Sequence, residues 1–219
     1  MAHKNKLEQP FFSVIITTYN RASLLLRAIQ SLMNQTEKNW EAIIVDDGST
    51  DNTQNCIQAY LKKDKRVQYF KLEHVGAVAA KNKAIELSKG IYVTFLDSDD
   101  EYKSNHLESR KNILLQNKAI QFLHGGVTVL GNQFVPDCFN YSKLINIANC
   151  YVGGTYFIKK ELFKSVGYFN YLPLGSDTNF IEKLQQAGIE VFKTEEPTYI
   201  YHREENNSIT NNIHQQTKV

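Results

Sequence analysis

IYVTFLDSDD, residues 91–100, runs from six residues rich in aromatic and β-branched side chains straight into Asp97-Ser98-Asp99-Asp100. An apolar run this short suits a strand buried on both faces of a parallel sheet. The acidic residues fall where that strand would end, and Glu101 brings the total to four carboxylates in five residues. Two like charges ~4 Å apart repel by roughly 4 kcal/mol at an effective dielectric of 20, so the cluster calls for a compensating cation. A hard divalent ion held by Asp-x-Asp keeps coordination positions open for phosphate oxygens. The alternative is a solvated acidic loop in which Asp100 caps the following helix. The short motif alone leaves both open.

Toward the N-terminus the same strand–helix unit recurs. Lys89-Gly90 is a helix stop: a cation in the last turn, then a glycine tolerant of positive φ. The helix it closes is predicted from about Gly76 to Ser88, with Ala77, Ala80, Ala84 and Leu87 on one face. Val67–Leu72 reads as a strand, and Ile57, Tyr60 and Leu61 mark a helix before it. Trp40–Val45 is a strand that runs into Asp46-Asp47-Gly48-Ser49. Ser13–Thr18 is the first strand, followed by Leu25, Ala28, Ile29, Leu32 and Met33 at helical spacing. This alternation predicts an α/β fold with a parallel sheet covered by helices on both faces. Ligands then sit beyond the carboxyl ends of the strands. Three polar clusters meet at that edge: Thr18-Tyr19-Asn20-Arg21, Asp46-Asp47 and Asp97–Asp100.

Each cluster also has a purely structural reading. Asn20 can cap the first helix, and Asp46-Asp47 with Ser49 and Asp51 can form a turn and cap leading into Thr53. Lys81 can face solvent on its helix or stand near a diphosphate.

Beyond residue 102 the pattern changes. Gln121–Leu130 and Gln133–Val135 read as strands joined by a turn at Gly131-Asn132. Thr155–Ile158 is another strand. Phe180, Ile181 and Leu184 define a helix from about Asp177 to Gly188, and Ile189–Phe192 and Thr198–Tyr201 complete the series. The expectation is a mixed sheet in this half, which builds the acceptor side. No Pro/Gly/Ser-rich linker interrupts the chain, so residues 1–219 are expected to form a single domain: a donor-binding half over about 12–102, an acceptor half over about 103–203, and a polar tail over about 204–219.

Composition narrows the classes. A 219-residue chain with 42% apolar residues can bury a sizeable core. A net charge of +2 gives no strong pull toward nucleic acid. Cys56, Cys138 and Cys150 are sparse and lack metal-ligand spacing, which points to a reducing compartment. No stretch approaches the ~20 apolar residues of a membrane span. Met1–Pro10 has no apolar core of a signal peptide.

SVIITTYNRASLL, WEAIIVDDGSTDNT and VGAVAAKNKAIELSKGIYVTFLDSDD together resemble glycosyltransferase family 2, whose members have the GT-A fold. The resemblance runs from about Phe12 to Tyr102 and continues more weakly through GYFNYLPLGSDTNFIEKLQQAG to YHREENNSIT. It implies that Thr18, Tyr19 and Asn20 line the nucleotide pocket, and that Asp47, with Asp46 beside it, contacts the base, commonly uracil. Lys81 stands where family members often carry arginine and would face the diphosphate. Asp97, Ser98 and Asp99 match the DxD motif: Asp99 ligates a divalent metal, Mn2+ or Mg2+, and Asp97 contacts the ribose or supports the metal. Asp177 matches the catalytic base, although Ser176 stands where many members have glutamate. Arg203 and Ser208 match the family's C-terminal motif, but Glu205 occupies its histidine position and His202 is displaced. Either could complete the metal shell.

What the resemblance implies is an inverting transfer from a nucleotide-diphosphate sugar, UDP first among them, to a saccharide or lipid-linked saccharide acceptor. The place would be the cytoplasm, with peripheral contact at the inner membrane face. Two rivals stand beside it. A nucleotidyltransferase would need a glycine-rich phosphate loop after the first strand, which Thr18–Arg21 lacks. A non-catalytic nucleotide-sugar binding protein would keep the acidic loop as a plain turn. Sugar choice would be made around Gly153-Gly154 and Tyr168–Ser176.

Overall fold

The computed structural model describes residues 9–204. Its first half alternates as the sequence predicts. In order come β1 (Phe12–Thr18), α1 (Ala22–Met33), β2 (Trp40–Asp46), α2 (Thr53–Cys56), α3 (Gln58–Lys63), β3 (Val67–Lys71), α4 (Ala77–Leu87) and β4 (Tyr92–Phe95). Then follow β5 (Glu101–Tyr102), α5 (His106–Gln116), β6 (Phe122–His124), β7 (Val127–Gly131), β8 (Phe134–Asp137) and β9 (Asn140–Asn146). The last elements are β10 (Phe157–Lys159), α6 (Leu162–Val166), α7 (Ser176–Gln186), β11 (Phe192–Lys193) and β12 (Tyr199–Arg203).

One sheet of seven strands, in the order β11-β6-β10-β4-β1-β2-β3, spans both halves. β1 is parallel to β2 and β4, and β2 is parallel to β3. β10 enters antiparallel between β4 and β6, which makes the sheet mixed where the second half joins it.

Strand periodicity explains the layering. Val14 and Ile16 of β1, with Ala42 and Ile44 of β2, pack with Leu25, Ala28 and Ile29 of α1 and Leu107 and Leu114 of α5. Ile15, Ile43 and Val45 face the other way, onto Ala80, Ala84 and Ile85 of α4 and Phe180, Ile181 and Leu184 of α7. α4 and α7 therefore share one face of the sheet, and Lys81 of α4 reaches Asp177 in the first turn of α7.

Several expectations need correction. Gln121–Leu130 is two strands. Gly125 and Gly126 both adopt positive φ, 95° and 75°, and divert the chain. β6 stays in the large sheet, while β7 pairs with β12, which also pairs with β5 in a three-stranded sheet. Gly131-Asn132 accordingly does not join a hairpin, because β8 pairs with β9. The predicted second helix is two short pieces, α2 and α3. Gly90 does not take a positive φ. A Cβ there would lie 2.5 Å from the backbone nitrogen of Ser13, so close approach is what requires glycine.

Candidate active site

The end of β1 is held by the segment after β2. Asn20 sits in the left-handed region at φ 51°. Its Oδ1 accepts from the N–H of Thr50 at 2.8 Å and of Asp51 at 3.3 Å, and its own N–H donates to Ser49 Oγ at 2.8 Å. Asn20 thus ties two strand ends together and does not cap α1. Asp51 serves that helix, accepting from the N–H of Ala22 at 3.2 Å, and as the sequence suggested it also leads into α2, accepting from the N–H of Thr53 at 3.0 Å. Tyr19 is exposed and stacks on His74 with centroids 4.3 Å apart. Thr18 is buried, and its hydroxyl has no partner among the described residues.

Asp46 and Asp47 divide two tasks. Asp46 is fully buried; it accepts from the N–H of Ser49 at 2.7 Å and from the Tyr69 hydroxyl. Burial, and then that contact, push the phenol of Tyr69 above its ordinary range. Asp47 accepts from the N–H of Val75 at 2.6 Å and of Gly76 at 3.0 Å. It therefore anchors the loop that starts α4, where a carboxylate also complements the helix dipole.

The acidic turn after β4 is a built structure. Asp100 is buried at 1% exposure, so the solvated-loop reading of this residue fails, as does a cap on α5. Its Oδ2 accepts from the Tyr199 hydroxyl at 2.6 Å and its Oδ1 from the N–H of His202 at 2.9 Å. Burial, with the nearby charges of Asp97 and Asp99, pushes its carboxyl well above the usual carboxylate range. Asp99 pairs with Arg21 at 2.6 Å, and its carbonyl accepts from Arg27. His202 Nε2 lies 2.8 Å from Glu101 Oε1, and its Nδ1 lies 3.7 Å from Glu204. Ser98 is buried within the turn. Glu205 and Ser208 lie outside the described residues.

The two halves meet at Lys81 and Asp177. Lys81 Nζ lies 3.3 Å from Asp177 Oδ1, with the rings of Phe95 and Phe169 at 5.1 and 4.9 Å. Lys81 is therefore not a solvent-facing helix residue. Burial pulls its pKa down, but Asp177 and Asp97 outweigh burial and the net direction is upward, so the ammonium is kept. Asp97 is also shifted upward, which for a carboxyl favours the neutral form: burial raises it, Lys81 opposes, and Asp99 and Asp177 add to the rise. These linked effects place Lys81, Asp97, Asp99 and Asp177 in one electrostatic neighbourhood. The carboxyl of Asp177 is backed by Gly153, whose backbone leaves no room for a Cβ.

The donor chemistry at this edge suits a divalent ion. Asp97 and Asp99 offer carboxylate oxygens, the ligands that Mg2+ and Mn2+ prefer. Among the described residues, no group of three His, Cys, Asp or Glu side chains is arranged to hold a metal. Arg21 and Lys81 supply the compensating charge in this structure. The sequence reading missed Tyr199, the pairing of Arg21 with Asp99 and the burial of Asp100. Arg21 stood in the first polar cluster, but Tyr199 carries no local signal.

The fold and its acidic strand edge define a GT-A type protein. Residues 13–132 match the family description "Glycosyl transferase family 2". The chain belongs to that family. It is 32% identical over 148 residues to the Escherichia coli protein named UDP-Glc:alpha-D-GlcNAc-diphosphoundecaprenol beta-1,3-glucosyltransferase WfgD, covering 64% of this chain and 56% of that one. Among solved structures it resembles S. aureus TarS 1-349 in complex with UDP-GlcNAc. That match has a TM-score of 0.76 and 23% identity, over 90% of this chain and 60% of that one. It also resembles the mannosyltransferase PcManGT from Pyrobaculum calidifontis, in complex with GDP-Man and Mn2+. There the TM-score is 0.70 and the identity 17%, over 89% of this chain and 57% of that one. The chain spans about half the length, or less, of the curated relatives it matches. No helix among the described residues is long and apolar enough to cross a membrane.

Proposed function

We propose that this chain transfers a sugar from a nucleoside diphosphate, UDP in the first instance, to an acceptor hydroxyl with inversion at the anomeric carbon. The observation that carries the proposal is the 3.3 Å pair of Lys81 and Asp177, one residue from each half, beside the acidic turn. Thr18, Tyr19 and Asp47 line the nucleotide side. Asp46 and Asn20 hold the strand ends that shape it.

Asp99 and Asp97 would hold a Mn2+ or Mg2+ ion, with His202 the remaining candidate ligand through its ties to Asp100 and Glu101. When bound, the ion would neutralise charge on the diphosphate. Lys81 offers a second cation to the same charge as it grows on the leaving group. With no donor present, Asp177 neutralises Lys81. Asp177 accepts the proton of the attacking hydroxyl as the new bond forms. A carboxylate is a weak base toward a free alcohol, but the hydroxyl acidifies during attack, and positioning supplies much of the effect. One base opposite the leaving group gives inversion, so a UDP-α-sugar yields a β-linked product. WfgD, named as a beta-1,3-glucosyltransferase that uses UDP-Glc and a lipid diphosphate-linked sugar, supports this choice of donor and acceptor class. A lipid-linked acceptor would bring the enzyme to the cytoplasmic membrane face as a peripheral protein.

The test is a panel of UDP- and GDP-sugars with Mn2+, read by thermal shift and by release of nucleoside diphosphate. Binding raises apparent stability. A shift with at least one donor, and slow donor hydrolysis, are the expected results. Pyrophosphate release from a nucleoside triphosphate would indicate a nucleotidyltransferase instead.

A further inference from the structure

Gly153 and Gly154 open the short 3-10 turn Gly153–Thr155, which packs against β4. Both are buried, and neither takes the left-handed conformation that favours glycine. The backbone would accept alanine at either position, so what excludes a side chain is space. A Cβ on Gly153 would lie 2.5 Å from Cγ and 2.7 Å from Oδ1 of Asp177. A Cβ on Gly154 would lie 2.7 Å from Cε2 of Tyr199 and closer still to its hydroxyl. Real Cβ contacts essentially never fall below 3.0 Å. The Tyr199 hydroxyl is the one that donates to Asp100, and it lies 3.4 Å from the backbone nitrogen of Asp97. Glycine costs more conformational entropy than alanine inside regular structure. Two in succession give close approach in return.

We propose that Gly153 and Gly154 are positioning residues that set the spacing between the base and the acidic turn. Gly153 seats the carboxylate of Asp177. Gly154 seats Tyr199, which holds Asp100 and with it the turn Asp97–Asp100. Adjacent residues of one turn thus gauge the acceptor side and the donor side of the site. The inference rests on the glycosyltransferase reading above.

The test compares wild type, Gly153→Ala and Gly154→Ala for turnover of a UDP-sugar with Mn2+, and for UDP binding by calorimetry. Gly153→Ala is expected to lower kcat by about a hundred-fold, the cost of misplacing a reacting group by about 1 Å. Its UDP affinity should stay within about two-fold of wild type. Gly154→Ala is expected to act on the other parameter, raising donor KM and UDP Kd about ten-fold. Equal shifts of one parameter in both variants, or wild-type turnover in Gly153→Ala, would overturn the proposal. Should Gly153→Ala not fold, the double variant Gly153→Ala/Asp177→Ala is melted beside Asp177→Ala. Removing the carboxylate removes the obstacle, so the double variant should recover the melting temperature of Asp177→Ala; one that stays unfolded contradicts the seating of Asp177. Should Gly154→Ala not fold, Tyr199→Phe takes its place, and unchanged UDP affinity in that variant sinks the Tyr199 half. A wild type inactive on every donor counts against the function proposed above, while the melting comparison still decides whether Gly153 seats Asp177.

Discussion

β1 and β2 are built almost wholly by apolar alternation: Val14, Ile16, Ala42 and Ile44 turn to one helical layer, and Ile15, Ile43 and Val45 to the other. The region around β6, β7 and β12 is built differently. Its chain is diverted at Gly125-Gly126, and the guanidinium of Arg110, fully buried, clamps that turn. Arg110 Nη2 donates to the carbonyls of Gly125 at 3.1 Å and Glu196 at 2.9 Å. His106, one turn earlier on α5, lies 2.8 Å from Thr198 Oγ1 and stacks on Tyr102 at 4.0 Å. Thr198 leads directly into Tyr199. In the first region the hydrophobic effect fixes the strands, and polar residues such as Asn20, Asp46 and Asp47 tie their ends. In the second, buried polar side chains carry the framework that presents Tyr199 to the acidic turn.

The largest test of that contrast is Arg110→Ala, which takes the guanidinium from the Gly125 carbonyl, leaves that of Glu196 bonded to Thr198, and opens a large void. A loss of about 4 kcal/mol in unfolding free energy is expected, measured by denaturant titration; a loss under about 1 kcal/mol would mean the clamp is idle. Acid should strike the same region next. Burial, with Lys193 nearby, lowers His124 from 6.5 to about 4. Between those values the unfolded chain binds the extra proton, so the stability present above pH 6.5 is lost as pH falls toward 4. His124 alone contributes up to about 3 kcal/mol to that loss. His124→Asn should flatten the fall, and an unchanged pH profile would remove His124 as its cause. Burial lowers His106 in the same direction, with Arg110 adding to it.

Lys81→Met probes the seam between the regions. It keeps the packing on Phe95 and Phe169 and removes the charge. Turnover should fall by about a hundred-fold, the scale of losing one preorganised donor, with the melting temperature little changed. Smallest is Asp51→Ala in the first region. It removes a cap on α1 at a cost of about 1 kcal/mol, read as a shift in the denaturant midpoint without loss of turnover.

These differences also explain what the sequence discloses. The acidic cluster of Asp97 and Asp99 stands out because it follows a plainly apolar strand, while Lys81 rides on a weakly patterned helix and is marked only by the family resemblance. α5 is hidden because its inner face carries His106 and Arg110 beside Leu107 and Leu114, so no apolar stripe stands out. Tyr199 is hidden because its partner Asp100 is distant in sequence. Asp46 and Asp47 are legible as a pair, but only the fold separates the buried holder from the residue that anchors the start of α4. Gly153 and Gly154 can be singled out by type, while the side chains they accommodate come from two other elements.

The claim that matters most is that Asp177, from the irregular half, completes a site whose nucleotide side belongs to the regular half. Asp177→Asn measures it directly, with UDP binding by calorimetry in Mn2+ and transfer by product formation. UDP affinity should stay within about two-fold of wild type while transfer falls by about a thousand-fold, as for loss of a general base. Transfer at the wild-type rate, or loss of UDP binding along with it, would contradict the division of labour between the two halves.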